Sequence, residues 1–208
     1  MNLREQPATL GLMVVTALVT LGIWATGSLQ NAATGMGFIA ARLGSLNVGP
    51  AVPVWLTPLS ATLVHGGFLH LAMNFILFAY CGRQVERVIG PGLVVLLYVI
   101  GAYAAAAGQF ALDPYSTIPV IGASGAISAL VGAYAVSFGQ AKRIVNSMRI
   151  NRWINIAWLM AAWVVLQLMV GFLGGNEGMM IAIGAHIGGF IAGVLLQRPL
   201  LLWRYRRA

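Results

Sequence analysis

Apolar residues in this chain fall into long runs broken by short polar or basic segments, and run length carries most of the fold information. A helix needs about 20 apolar residues to cross the hydrocarbon of a bilayer. Six runs reach or approach that length: Thr9–Ser28, Phe68–Gly82, Leu93–Ala111, Gly122–Gly139, Trp153–Leu173 and Met179–Leu202. The second and fourth are short, so at least one end of each is expected to meet protein or water below the lipid surface. No internal repeat or low-complexity tract is seen. The pattern predicts an all-α membrane protein of six spans, with residues 1–208 forming a single transmembrane domain and no separate soluble domain.

Composition agrees. Hydrophobic residues make up 60% of the chain and charged residues 8%, against about 25% charged in soluble domains. No cleavable signal peptide is expected, because Met1 to Ala8 is short and no small-residue cleavage site follows the first run. The single cysteine, Cys81, excludes an internal disulfide and reads as packing beside Gly82.

A net charge of +8 raises the question of nucleic acid, but the placement of the charges answers it. Arg4 precedes the first run, and Arg83 and Arg87 follow the second. Lys142, Arg143, Arg149 and Arg152 lie between the fourth and fifth, and Arg198, Arg204, Arg206 and Arg207 close the chain. The other three loops hold only Arg42. A Lys/Arg excess marks cytoplasmic segments, so both termini are expected in the cytoplasm and the lipid bilayer, not nucleic acid, is the expected partner.

Two outer loops invite attention. Leu29 to Thr57 is too long for a simple turn and contains Phe38-Ile39-Ala40-Ala41-Arg42-Leu43, a candidate interfacial helix. Leu112 to Ile121 ends in Ile118-Pro119-Val120-Ile121, apolar enough to dip below the surface against protein.

Chemistry enters with the few polar residues inside the runs. Gly122-Ala123-Ser124-Gly125 opens the fourth run, and His186 sits in the sixth within Gly184-Ala185-His186-Ile187-Gly188-Gly189. Gly189 and Gly193 follow His186 on one helix face, a seam that lets another helix approach, and Gly125, Ala129 and Gly132 form a matching face beside Ser124. His70 and Asn74 are one helical turn apart and share a face, while His65 lies off that face near Gly66-Gly67. Small-residue stripes are common packing devices, and a serine in a span often only bonds its own backbone. A histidine in a span is expensive and usually functional.

All three runs are expected to start outside. From the run starts, His70 and Asn74 lie about 3–9 Å in and His186 about 10 Å in, with Ser124 only about 3 Å along its helix. The depths match if the fourth helix starts below the surface.

A serine nucleophile needs a base and donors for the oxyanion. Ser124 and His186 are the candidate nucleophile and base, His70 and Asn74 the candidate accessory donors, and His65 a further candidate accessory residue. With no aspartate inside a span, the arrangement is a dyad. The zinc-protease pattern His-Glu-x-x-His is absent, and the only aspartate, Asp113, stands beside a loop proline. No cofactor or metal is expected.

These residues resemble the rhomboid intramembrane serine proteases. The resemblance is carried by Gly122-Ala123-Ser124-Gly125, His65 with His70-Leu71-Ala72-Met73-Asn74, Ala185-His186-Ile187-Gly188-Gly189-Phe190-Ile191-Ala192-Gly193, and Gly82-Arg83-Gln84-Val85-Glu86-Arg87 as a loop after the second span. It implies a six-transmembrane-helix rhomboid-like bundle that cleaves transmembrane segments of membrane proteins, with Ser124 as nucleophile and His186 as base. It further implies that His70, Asn74 and the Ser124 backbone N–H form the oxyanion hole, and that the fifth span helps admit substrate. A bacterial inner membrane is the expected location, with the site toward the outer face. Two positions depart from the family pattern. Leu56 follows Trp55 where an arginine is usual, and Ser128 stands where many members pack an aromatic on the histidine. Two rival readings stay open: an inactive relative that binds membrane proteins, and a small transporter relaying protons through histidines.

Overall fold

Proline opens two of the long helices and glycine ends a third. Pro7 starts α1 (Pro7–Ala25) and Pro91 starts α6 (Pro91–Leu112), first-turn positions where the missing N–H costs nothing. The computed structural model describes residues 6–44, 52–140, 143–173 and 182–206. The remaining helices are α2 (Leu29–Met36), α3 (Thr57–Ser60), α4 (Phe68–Leu77), α5 (Arg83–Ile89), α7 (Ser124–Phe138), α8 (Met148–Leu173) and α9 (Ile183–Arg204).

The runs seen in the sequence are recovered as helices, with informative shifts at their ends. The second run does not stop at Gly82. A π-helical turn at Phe78–Gly82 leads straight from α4 into α5, and Gly90 at φ +87° ends the helix. The segment Gly82 to Arg87, read as a loop, is therefore helical. The reason is amphipathic: Val85 and Ile89 are buried, while Glu86 turns inward to accept hydrogen bonds from the Ala8 and Thr9 amides at 3.0 and 2.8 Å. A carboxylate there satisfies free N–H groups at the start of α1 and complements its dipole. Helix α8 starts at Met148 rather than Trp153, so Arg149 and Arg152 are helical as well. Met179, the expected start of the last span, lies outside the described residues, as do Arg4, Lys142 and Arg207.

Phe38 to Leu43 is not an interfacial helix. Phe38 exchanges two backbone hydrogen bonds with Val120, at 3.0 and 2.8 Å, and only Ala40–Gly44 curls into a 3-10 turn. Phe38, Ile39 and Ala40 are buried against protein, and that burial against Val120 overrides the helical pattern. The apolar end of the Leu112–Ile121 loop thus packs on protein, as expected.

Among the described residues, α1, α6, α8 and α9 are long and apolar enough to cross a membrane. The segment Val54–Leu63 and the helix Phe68–Ile89 form a pair bent by 91°, which adds a fifth candidate. Helix α7 is apolar but has 15 residues, or about 22 Å, less than the roughly 30 Å of hydrocarbon. It is buried on nearly every side, with Ile127, Ala129, Leu130 and Ala133 inaccessible. It is the central helix of the bundle.

Helices α7 and α9 meet backbone to backbone. A Cβ on Gly189 would strike the Gly125 carbonyl, one on Gly193 the Ala129 carbonyl, and one on Gly132 the Phe190 carbonyl. Gly184 and Gly188 make the same close approach to Gly108 and Ala104 of α6. The bundle has two chemically different ends. The N-termini of α4, α7 and α9 share one end with the loop carrying Arg42. At the other, Arg204 donates to Ile89 O and Arg152 to Val136 O, near Arg83, Arg87, Arg149 and Arg206.

Candidate active site

Three helix N-termini converge on one cavity of about 190 Å³, lined by His70, Gly122, Ser124, His186 and Gln167 together with Ala102, Ala105 and other small residues. Ser124 is the first residue of α7, His70 the third of α4 and His186 the fourth of α9. All three therefore sit within a turn of a helix start. His186 lies about 5 Å along its described helix from Ile183, while Met179, from which about 10 Å was expected, lies outside the described residues.

Ser124 Oγ lies 2.9 Å from His186 Nε2, and both side chains are buried. A neutral imidazole with its proton on Nδ1 would accept the serine proton through Nε2. Ser124 also heads its helix, so its own N–H has no intrahelical acceptor. The glycine seam makes this pairing geometrically accessible, because α9 reaches the α7 backbone closely only where at least one of the facing residues is glycine.

The approach of α4 depends on Gly122. Its φ of +106° is a left-handed conformation that side chains rarely adopt, and a Cβ there would fall 2.6 Å from His70 Nε2. The glycine thus lets the turn before Ser124 lie against the His70 ring. Asn74 sits behind that turn, 1% exposed, with Nδ2 3.8 Å from the same Cβ position. Neither Asn74 Oδ1 nor Nδ2 finds a partner among the described residues, and the same holds for His70 Nδ1. Buried side-chain amides without partners are rare in folded proteins. Asn74 does not line the cavity directly, whereas His70 does.

His65 does not line it either. Its Nε2 accepts the Ala123 N–H at 3.3 Å, and its Nδ1 faces Thr20 Oγ1 at 3.1 Å. Trp24 Nε1 donates to the His65 carbonyl at 2.9 Å. The ring fastens α1 to the residue before Ser124. Thr20 and Trp24 have no mark in the sequence beyond being polar atoms in an apolar run. Trp163 of α8 is also unforeseen, its ring edge-on to His186 with centroids 6.0 Å apart.

The rhomboid domain model matches residues 53–203 of the 208. The chain belongs to the rhomboid family. Rhomboid protease GluP of Bacillus subtilis is 30% identical over 146 residues, covering 70% of this chain and 27% of GluP. RHOMBOID-like protein 4 of Arabidopsis thaliana is 35% identical over 146 residues, covering 69% of this chain and 34% of that protein. Rhomboid protease GlpG of Pectobacterium atrosepticum is 27% identical over 193 residues, 93% of this chain and 62% of GlpG. This rhomboid therefore spans less than two-thirds of the length of each of these relatives. Its apolar helices and its family make it an integral membrane protein.

Proposed function

We propose that this rhomboid is an intramembrane serine endopeptidase that cleaves transmembrane segments of membrane proteins. The observation that carries the proposal is the 2.9 Å contact between Ser124 Oγ and His186 Nε2 inside a cavity among apolar helices. His186 takes the hydroxyl proton as Ser124 Oγ attacks the scissile carbonyl, and later returns it to the leaving amine. The tetrahedral oxyanion is met by the Ser124 N–H and by side-chain donors of His70 and Asn74. Water then hydrolyses the acyl-enzyme by the same route.

Six spans carry this site as one transmembrane domain: α1, the α4–α5 helix, α6, the short α7 sheathed in protein, α8 and α9. Lys/Arg gather at the end away from Ser124, so that end faces the cytoplasm, both termini with it, and the site opens toward the outer face of a bacterial inner membrane. A substrate helix has its carbonyls bonded internally, so it must unwind locally before Ser124 reaches one.

The test is labelling of the purified protein with a fluorophosphonate, alongside cleavage of a model transmembrane substrate. Wild type should label and cleave. Ser124→Ala and His186→Ala should do neither while still inserting and folding. Turnover by a folded Ser124→Ala protein would overturn the mechanism.

A further inference from the structure

Ser128 stands one turn after Ser124, where its hydroxyl is completely buried. That hydroxyl donates to the Ser124 carbonyl at 2.6 Å. Its one proton is then committed, so the oxygen can only accept from its other neighbour, Trp163 Nε1–H, also at 2.6 Å. Trp163 is 4% exposed, and its ring stands edge-on to His186 at 71°. One indole thus reaches both members of the pair: His186 through its ring, and Ser124 through its N–H and the Ser128 hydroxyl. Trp163 also belongs to α8, the helix at the edge of the bundle, whereas α6, α7 and α9 pack tightly together.

We infer that Trp163 and Ser128 form a clamp that positions His186 against Ser124, so that the hydrolytic geometry depends on where α8 sits. The imidazole has few other restraints. Its Nδ1 is buried and finds no partner among the described residues. A ring held at Nε2 by one hydrogen bond needs a wall to fix its plane, and the indole edge is that wall. Its own orientation is set by a buried hydrogen bond that a tryptophan in an apolar span would otherwise lack. Trp163 and Ser128 touch neither oxyanion nor substrate in this scheme. They are positioning residues.

Because the inference rests on the proposed hydrolase function, the experiment separates the two. Ser128→Ala, Trp163→Phe, their double variant and Trp163→Leu are compared with wild type in the full-length protein, reading kcat and KM on a model transmembrane substrate and the rate of fluorophosphonate labelling. Both Ser128→Ala and Trp163→Phe delete the same hydrogen bond, so each should lower kcat by about tenfold with KM unchanged, a loss of the kind small misplacements cause. The double variant should be no worse than the worse single, since members of one network do not add. Trp163→Leu, which removes the wall too, should lose more, and Phe should recover part of it. Independently of turnover, the ring nitrogen resonances of His186, identified by their disappearance in His186→Ala, should broaden in Trp163→Leu. Wild-type kcat in both single variants, multiplicative losses in the double, or an effect on KM alone would overturn the clamp. Absence of labelling in wild type would instead sink the hydrolase proposal, with the His186 resonances still deciding the clamp. If Trp163→Leu fails to fold, the Ser128→Ala and Trp163→Phe cycle decides by itself.

Discussion

His65 accepts the backbone N–H of Ala123 through Nε2 at 3.3 Å, and because an amide can only donate, this one contact sets the tautomer of a buried ring. The proton must sit on Nδ1, where it donates to Thr20 Oγ1 at 3.1 Å, and the Thr20 hydroxyl in turn donates to Leu63 O at 2.8 Å. Each hydrogen bond has a determined direction, and the chain of them ties α1 to the turn that presents Ser124.

Thr20→Val should therefore be costly although it is nearly isosteric. It leaves the buried Nδ1–H of His65 without a partner, a penalty of about 1–3 kcal/mol for an unsatisfied buried group. The thermal midpoint should fall and activity fall with it, because the Ser124 turn loses its tether. A Thr20→Ser variant, which keeps the hydroxyl, should retain most of both. Equal midpoints for Thr20→Val and wild type would show that His65 is held by something else.

What was legible in the sequence follows from which interactions leave a local signature. Ser124, His186, His70 and Asn74 stood out because polar side chains in apolar runs are few, and the cavity brings Ser124, His186 and His70 to one lining, with Asn74 behind the Gly122 turn. The small faces of α7 and α9 were readable because a helix repeat places Gly189 and Gly193 in register. Helix extents were less so. Arg83 and Arg87 look like loop residues until the buried Glu86 is seen capping α1 from the far side of a span. Trp163 was invisible for the same reason: nothing near it in sequence says that its indole N–H meets Ser128 across two helices.

His70→Ala and Asn74→Ala should lower turnover without abolishing it. Removing one oxyanion donor costs about 10²–10³ in rate where the hole is complete. His70 lines the cavity and Asn74 lies behind the Gly122 turn, so His70→Ala should be the more damaging of the two. Steady-state kcat at saturating substrate makes the comparison. Full activity in both variants would remove them from the oxyanion site.

Two glycine-to-alanine changes should behave in opposite ways. Gly189→Ala drives a methyl into the Gly125 carbonyl, so α9 must back away from α7 and carry His186 with it. Activity and thermal stability should both drop sharply. Gly22→Ala, on α1, meets nothing within 4 Å and gains up to about 1 kcal/mol of helix propensity, so it should be neutral or stabilising. Thermal unfolding and turnover measured together test the pair, and a harmless Gly189→Ala would show that the α7–α9 seam has slack.

The orientation of the bundle is accessible to labelling because the sequence holds one cysteine and it is buried, with Cys81 3% exposed. Background reaction with a bulky maleimide should therefore be low. Tyr115, 87% exposed, marks the end of the bundle that carries Ser124, and Arg206 marks the basic end. In intact cells of a bacterial host stripped of their outer membrane, Tyr115→Cys should react with a membrane-impermeant maleimide. Arg206→Cys should react only after lysis. Lys/Arg segments are retained on the cytoplasmic side, and every described basic residue except Arg42 belongs to the Arg206 end. The reverse labelling pattern would turn the site toward the cytoplasm, and with it the face from which a substrate segment must unwind to reach Ser124.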